Sequence, residues 1–202
     1  MLPADGDDGQ LLAQVRGGEL QALGVLYDKY RLLVFHTALA ITHDTAAAED
    51  ILQECFLRLN AHADRIDGNL PLAPWLYRVT INLSYTWVTR TARRQVSLEG
   101  LLDQLDRFIT PANAATEHQV ESRDLRESVR NAVFSLPFNQ RVAIVLHYLG
   151  DLGVKEIVSI LDCPVGTVKS RLYNGREALR AKLAGRVESE TVLARGVAYD
   201  FT

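Results

Sequence analysis

Residues 136–183 run LPFNQRVAIVLHYLGDLGVKEIVSILDCPVGTVKSRLYNGREALRAKL, and they hold a two-helix corner that ends in a long basic helix. Val154, Ile157, Val158 and Leu161 form one apolar stripe at helical spacing, which Asp162-Cys163-Pro164 interrupts. Apolar positions resume at Val165, Val168, Leu172, Leu179 and Leu183, near the 3.6-residue period. Pro164 cannot continue the first helix, but a proline is tolerated just before or at the start of the second. Between Val165 and Arg186 lie Lys169, Arg171, Arg176, Arg180, Lys182 and Arg186, against Glu177 as the one acid. A helix-turn-helix with a cationic second helix suits a DNA major groove, where guanidinium groups read base edges and ammonium groups neutralise phosphates. A solvated basic helix closing a small bundle is the plainer alternative. Thr167, Lys169, Ser170, Arg171, Asn174 and Arg176 are predicted to project away from the Val168–Leu172–Leu179 stripe. Arg171 is the first candidate for a guanine contact, and Lys169 for a phosphate.

Working outward, the whole chain has 202 residues, 48% of them hydrophobic and 23% charged, as in a globular protein. No apolar run approaches the roughly 20 residues that cross a bilayer. The start MLPADGDDGQ is acidic and lacks the basic and apolar regions of a signal peptide, so a cytoplasmic location is expected, without membrane insertion. The net charge of −3 is at odds with a nucleic-acid binder until its distribution is considered. Seven acids and three arginines fall between Glu99 and Glu127, whereas the final helix and the stretch 78–94 are basic. Cys55 and Cys163 are far apart at apolar helical or turn positions, and both are expected to be buried thiols.

The pattern predicts an all-α chain in two small helical domains. The first spans residues 11–94 and the second 116–184, with an acidic linker at 95–115 and a tail at 185–202. Within the first, helical periodicity runs over Glu19–Ile41 and breaks at Thr42-His43-Asp44, which offers an N-cap. The next helix, about Thr45–Ala61, places Ile51, Leu52, Cys55, Phe56 and Leu59 on one face. Its other face carries Glu49, Asp50, Gln53, Glu54 and Arg58. DRIDGNLPLAP at 64–74 reads as an ordered loop, followed by a helix over Trp75–Arg94 with Leu76, Val79 and Leu83 inward. From Gln95 to Ala115 the periodicity is poor, and an extended linker is expected, with room for a short helix around 98–108.

Both blocks resemble the sigma-70 superfamily, specifically its two-domain extracytoplasmic-function (ECF) group. The resemblance rests on AAAEDILQECFLRLN at 46–60, PWLYRVTINL at 74–83, SLPFNQRVAIVLHYL at 135–149 and PVGTVKSRLYNGREALR at 164–180. It covers about residues 20–94, like region 2, and 126–183, like region 4. The departures are Leu59-Asn60 where an aromatic is usual, Asp162-Cys163 where Gly-Ile is usual, and a thin arginine run of Arg90, Arg93 and Arg94. These bear on promoter preference.

The resemblance implies a promoter-specificity subunit of bacterial RNA polymerase, with the core enzyme, promoter DNA and an anti-sigma factor as partners. It implies that Asp50, Gln53, Glu54 and Arg58 dock on the polymerase core. Read without it, that helix face is simply a solvated surface. It further implies that loop 64–74 captures a flipped base of the −10 element, with Asn69, Arg78, Asn82, Tyr85, Arg90 and Arg93 as contacts. Aromatics next to cations suit single-stranded DNA, although aromatics at helical spacing are also ordinary core. The −35 element falls to Thr167, Lys169, Ser170, Arg171, Asn174 and Arg176. The acidic linker would thread the polymerase channel, or serve as a flexible tether.

Catalysis finds no support: His36, His43, His62, His118 and His147 are scattered without metal-ligand spacing, and no phosphate-binding glycine loop occurs. No cofactor, metal or small-molecule substrate is expected, and no enzymatic activity. Two rivals remain, a sigma-mimicking protein that sequesters an anti-sigma factor, and a conventional helix-turn-helix regulator.

Overall fold

The computed structural model describes residues 8–102 and 120–184, with their side chains over 8–93 and 126–184. The described residues form eight α-helices and one short 3-10 turn, without strands. The all-α reading therefore holds. Helix α1 is Asp8–Arg16, α2 Leu20–Thr42, α3 Thr45–His62 and α4 Leu72–Leu102. Then come α5 Val120–Phe134, α6 Phe138–Tyr148, α7 Val154–Leu161 and α8 Val165–Leu183.

The first four helices close around Leu12, Leu26, Tyr30, Leu59, Leu72 and Leu76, each fully buried. The break before α3 forms as the sequence predicts. His43 takes a left-handed conformation that stops α2, and the Asp44 carboxylate accepts from the Ala47 N–H at 2.8 Å. Ile51, Cys55, Phe56 and Leu59 point into the core, and the polar set Asp50, Gln53 and Arg58 is exposed. In α4 Leu76 is buried and Val79 and Leu83 pack against the core from its edge. That helix starts three residues before the predicted Trp75 and continues to Leu102, eight residues into the stretch read as linker. No proline interrupts 95–102, and loss of amphipathic period is not by itself a helix stop. Residues 103–119 and 185–202, the rest of the linker and the tail, lie outside the described residues.

In the second half α6 and α8 cross closely at Gly175, where an added Cβ would stand 2.8 Å from Ile144 Cγ1. Gly175 occupies the inward position between Leu172 and Leu179, both buried, so the apolar stripe of α8 is continuous in space. Asp162 adopts a left-handed φ of 48° and Pro164 caps α8, making the corner between α7 and α8.

The two halves share a core. Ile41, Tyr77 and Ile81 from the first join Leu136, Leu146, Ile157 and Leu172 from the second in one apolar cluster. Burial raises the Tyr77 hydroxyl to about 12, with the nearby Glu156 carboxylate adding to the effect. Two arginines cross this seam in opposite directions. Arg141 of α6, 6% exposed, donates to Ile41 O at 2.6 Å and to its own half's Leu136 O at 3.1 Å. Its guanidinium lies 4.3 Å from the Phe134 ring centre, and its Nε finds no partner. Arg78 of α4 donates to Ser159 O at 2.7 Å and Ile160 O at 3.1 Å, at the carboxyl end of α7. Both guanidiniums thus meet carbonyls near the ends of helices, where intrahelical partners run out and partial negative charge collects.

Candidate functional site: exposed faces of three helices

Three surfaces carry the predicted site residues. On α3, Asp50, Gln53 and Arg58 are exposed and Glu54 is half-buried. Arg58 Nε donates to Glu54 Oε1 at 2.7 Å, an i,i+4 pair that contributes a few tenths of a kcal/mol. Leu57 sits among them, 64% exposed, one turn from both Gln53 and Glu54. It is an apolar centre within a charged rim, the anatomy of a docking patch, and sequence reasoning passed over it. Its absence from the apolar stripe on the opposite face was the available signal.

The second surface is the loop between α3 and α4 together with the exposed side of α4. A 3-10 turn at Ala63–Arg65 leads into it, and Asn69 stands exposed at its tip. Asp67 Oδ1 accepts from the Asn69 backbone N–H and from its side-chain Nδ2, each at 2.9 Å. Arg90 and Arg93 are exposed farther along α4. Arg78, Asn82 and Tyr85 are placed differently from the expectation of a free nucleic-acid surface. They form one wall of a cleft of about 390 Å³ whose other wall includes Phe138, Asp162 and Arg171. Tyr85 meets Phe138 edge to face at 5.1 Å, and Arg78 is committed to the α7 carbonyls. Of the three, Arg78 is tied to the second half, while Asn82 and Tyr85 line the cleft and remain exposed.

The third surface is α8. Lys169, Ser170 and Asn174 are exposed and Thr167 half-exposed, as predicted. Tyr173, 65% exposed on the same helix, is an addition that the sequence reading did not single out. Two residues depart from the expected outward projection. Arg171 is half-buried, facing the cleft, with Nη1 3.8 Å from Cys163 Sγ. Arg176 turns back onto α6, where its Nε donates to Tyr148 Oη at 2.8 Å and its guanidinium overlies the ring at 5.5 Å. A cation with an aromatic neighbour one helix away gains more there than in water, so the arginine folds inward.

The cysteines also differ from one another. Cys55 is buried beside Thr80, and burial raises its thiol to about 12. Cys163 is only partly buried, packed against the edge of the shared core in the corner before α8, where a fully buried thiol was expected. Asp162 and Pro164 on either side of it are exposed, so the turn has no layer of chain above it. His36 and His147 are partly buried: His147 Nδ1 pairs with Leu152 O at 2.9 Å and His36 lies against the Phe35 ring. Among the described residues no cluster of His, Cys, Asp or Glu could hold a metal ion, and no helix is long and apolar enough to cross a membrane.

Two family descriptions match the chain: sigma-70 region 2 over residues 26–94, and sigma-70 region 4 over residues 126–179. The ECF RNA polymerase sigma factor SigW of Bacillus subtilis is 32% identical over 178 residues, which cover 85% of this chain and 94% of that protein. The ECF RNA polymerase sigma-E factor of Escherichia coli is 30% identical over 182 residues, covering 87% of this chain and 94% of that protein. Among solved structures, CnrH in complex with the cytosolic domain of CnrY shares the fold at TM-score 0.64 and 21% identity, covering 89% of this chain and 99% of that one. RpoE in complex with the anti-sigma factor NepR from Bartonella quintana shares it at TM-score 0.58 and 23% identity, with 78% and 93% covered.

Proposed function

The chain belongs to the sigma-70 family, in its ECF group, and from that premise we propose how its surfaces divide the work of promoter recognition. It acts as a dissociable specificity subunit of RNA polymerase, a binding protein rather than an enzyme, working in the cytoplasm. Its partners are the polymerase core, promoter DNA and an anti-sigma factor. The face of α3 around Leu57, with Asp50, Gln53, Glu54 and Arg58, docks on the core enzyme. A rim of both charge signs orients a large partner while an apolar centre supplies the grip. Thr167, Lys169, Ser170 and Asn174 on α8 enter the −35 major groove, joined by Tyr173 at the rim. Asn69, with Arg90 and Arg93 along α4, contacts the melted −10 strand.

The observation that carries this reading is the pairing of an outward polar α8 with a separate polar-and-apolar face on α3. A conventional helix-turn-helix regulator has no use for the second. A sigma mimic has no use for the exposed cationic and amide groups of the first.

The arrangement described above is a closed one. Arg78 reaches DNA only when the second half moves off α4, whereas Asn82 and Tyr85 already stand exposed along the cleft, which Arg171 also faces. Binding to core polymerase, which must hold −10 and −35 sites some distance apart, supplies the opening force in this scheme. Multi-round transcription with purified core polymerase and a random promoter library tests the proposal. Dependent transcripts that share two spaced upstream elements are expected. Absence of both transcripts and core binding would overturn it.

A further inference from the structure

The loop that carries Asn69 is braced from below by a helix outside the family-matched segment 26–94. Helix α1 is itself fixed firmly. Leu11, Leu12 and Val15 are buried in the core, and Asp8, 2% exposed, pairs with Lys29 Nζ at 2.6 Å and accepts from the Tyr30 hydroxyl. From the last turn of α1, Arg16 reaches across to the loop. Its Nε donates to Ala63 O at 2.9 Å, and its Nη2 donates to Ile66 O. At the other end of the same helix, backbone meets backbone. A Cβ on Gly9 would lie 2.6 Å from Gly68 O, so only glycine lets α1 sit this close to the loop. The chain between these two anchors is held at Ala63, Ile66 and Gly68, immediately before Asn69.

The side chain of Asn69 is held as well. Its amide N–H faces the Asp67 carboxylate, and flipping the amide would set carbonyl oxygen against carboxylate oxygen. The Asn69 Oδ1 is thereby turned away from Asp67, with no partner among the described residues. An outward carbonyl oxygen is an acceptor, and its complement on a nucleobase is an exocyclic amino group. Adenine, cytosine and guanine carry one; thymine offers instead its imide N–H, flanked by two carbonyl oxygens that an acceptor repels.

We propose that Arg16 and Asp67 are positioning residues for promoter reading: Arg16 fixes the loop before any DNA arrives, and Asp67 makes Asn69 display an acceptor, so the loop prefers an unstacked base bearing an exocyclic amino group over thymine. This rests on the proposed assignment of the loop to the −10 strand. A preset loop pays less ordering entropy at the moment of capture than one that must fold around the base.

The test uses the full chain in complex with core polymerase, and single-stranded −10 oligonucleotides of the selected promoter, varied base by base. The wild type should prefer amino-bearing bases over thymine at one position by about fivefold or more, the range expected of a side-chain contact to a base. Asn69→Ala should flatten that position. Asp67→Ala and Arg16→Ala should flatten the same position to within about twofold, while −35 duplex affinity and core affinity stay unchanged; Arg16→Lys should restore part of the preference. Gly9→Ala supplies a second way to shift the loop should Arg16→Ala fail to fold. If Asn69→Ala flattens the preference and Asp67→Ala, Arg16→Ala and Gly9→Ala do not, the positioning roles are overturned and the loop assignment survives. If Asn69→Ala alters no position, the loop does not read a base and both fall.

Discussion

Replacing Gly175 with alanine should weaken the second half, whereas the same replacement at Gly24 should strengthen the first. Both glycines lie inside helices, so each gains about 1 kcal/mol of helix propensity on becoming alanine. The difference lies in what a methyl group meets. At Gly24 nothing stands within 4 Å of the new Cβ. At Gly175 the Cβ would be 2.8 Å from Ile144 Cγ1 and 3.1 Å from Cδ1, with Gln140 Cβ at 3.7 Å. Carbon pairs settle at about 3.5–4.0 Å, so the contact must open by roughly 1 Å. Ile144 cannot turn aside cheaply, because it is 4% exposed and β-branched, with one preferred rotamer in a helix. Overpacking of this kind costs about 1–3 kcal/mol, which outweighs the propensity gain and leaves a net loss of about 1 kcal/mol. The two variants should therefore differ by about 2 kcal/mol in opposite directions from the wild type, measured by denaturant unfolding with unchanged m-values. Because α8 would be pushed off α6, Gly175→Ala should also bind −35 duplex less well. Equal stabilisation by both substitutions would refute the close crossing of α6 and α8, and with it the placement of the recognition helix.

The seam gives a second expectation: Arg141→Met combined with Arg78→Ala should separate the halves, seen as a longer distance between dyes on exposed sites of α3 and α8. An unchanged distance would mean that apolar contact alone closes the molecule. Native alkylation at pH 8 should modify Cys163 and spare Cys55, whose thiol lies at about 12, until the chain is unfolded. Fast reaction of both would contradict the burial of Cys55. Burial lowers the pKa of His36 in the fold, so the unfolded chain binds the proton more readily. The stabilising contribution is present in full above the ordinary imidazole value of about 6.5 and is lost as pH falls from there through the lowered folded value. His36→Asn should flatten the decline in melting temperature between pH 7.5 and 5.5, and an undiminished decline would assign it to other groups.

Much of the fold was legible because it is written in side chains. The stop at His43, the Asp44 cap and the Pro164 corner are local chemistry, and each formed where the sequence placed it. The apolar faces of α3 and α8 are periodic and needed no tertiary knowledge. The inward turn of Arg176 was not legible, since α8 offers the same spacing whether the arginine meets DNA or Tyr148. Arg16, Arg78 and Arg141 were hidden for a deeper reason. Their acceptors are backbone carbonyls at Ala63, Ile66, Ser159, Ile160 and Ile41, up to 100 residues away in sequence. Every residue owns a carbonyl, so no residue type marks one as a partner. The shared core escaped for a similar reason: Tyr77 and Ile81 fit a two-domain pattern as well as a joined one.

That the seam is closed by arginines on carbonyls and by apolar contact, with no acid among the guanidiniums' partners, makes it respond to electrolyte differently from the surfaces it covers. Contacts to DNA phosphates weaken steeply as salt rises, because each one releases counterions. Apolar burial and hydrogen bonds to neutral acceptors carry no comparable dependence. Under the proposed function, a rise in ionic strength should therefore loosen the grip on promoter DNA while leaving the seam of the free chain nearly as strong, so salt separates the two kinds of contact in a binding titration.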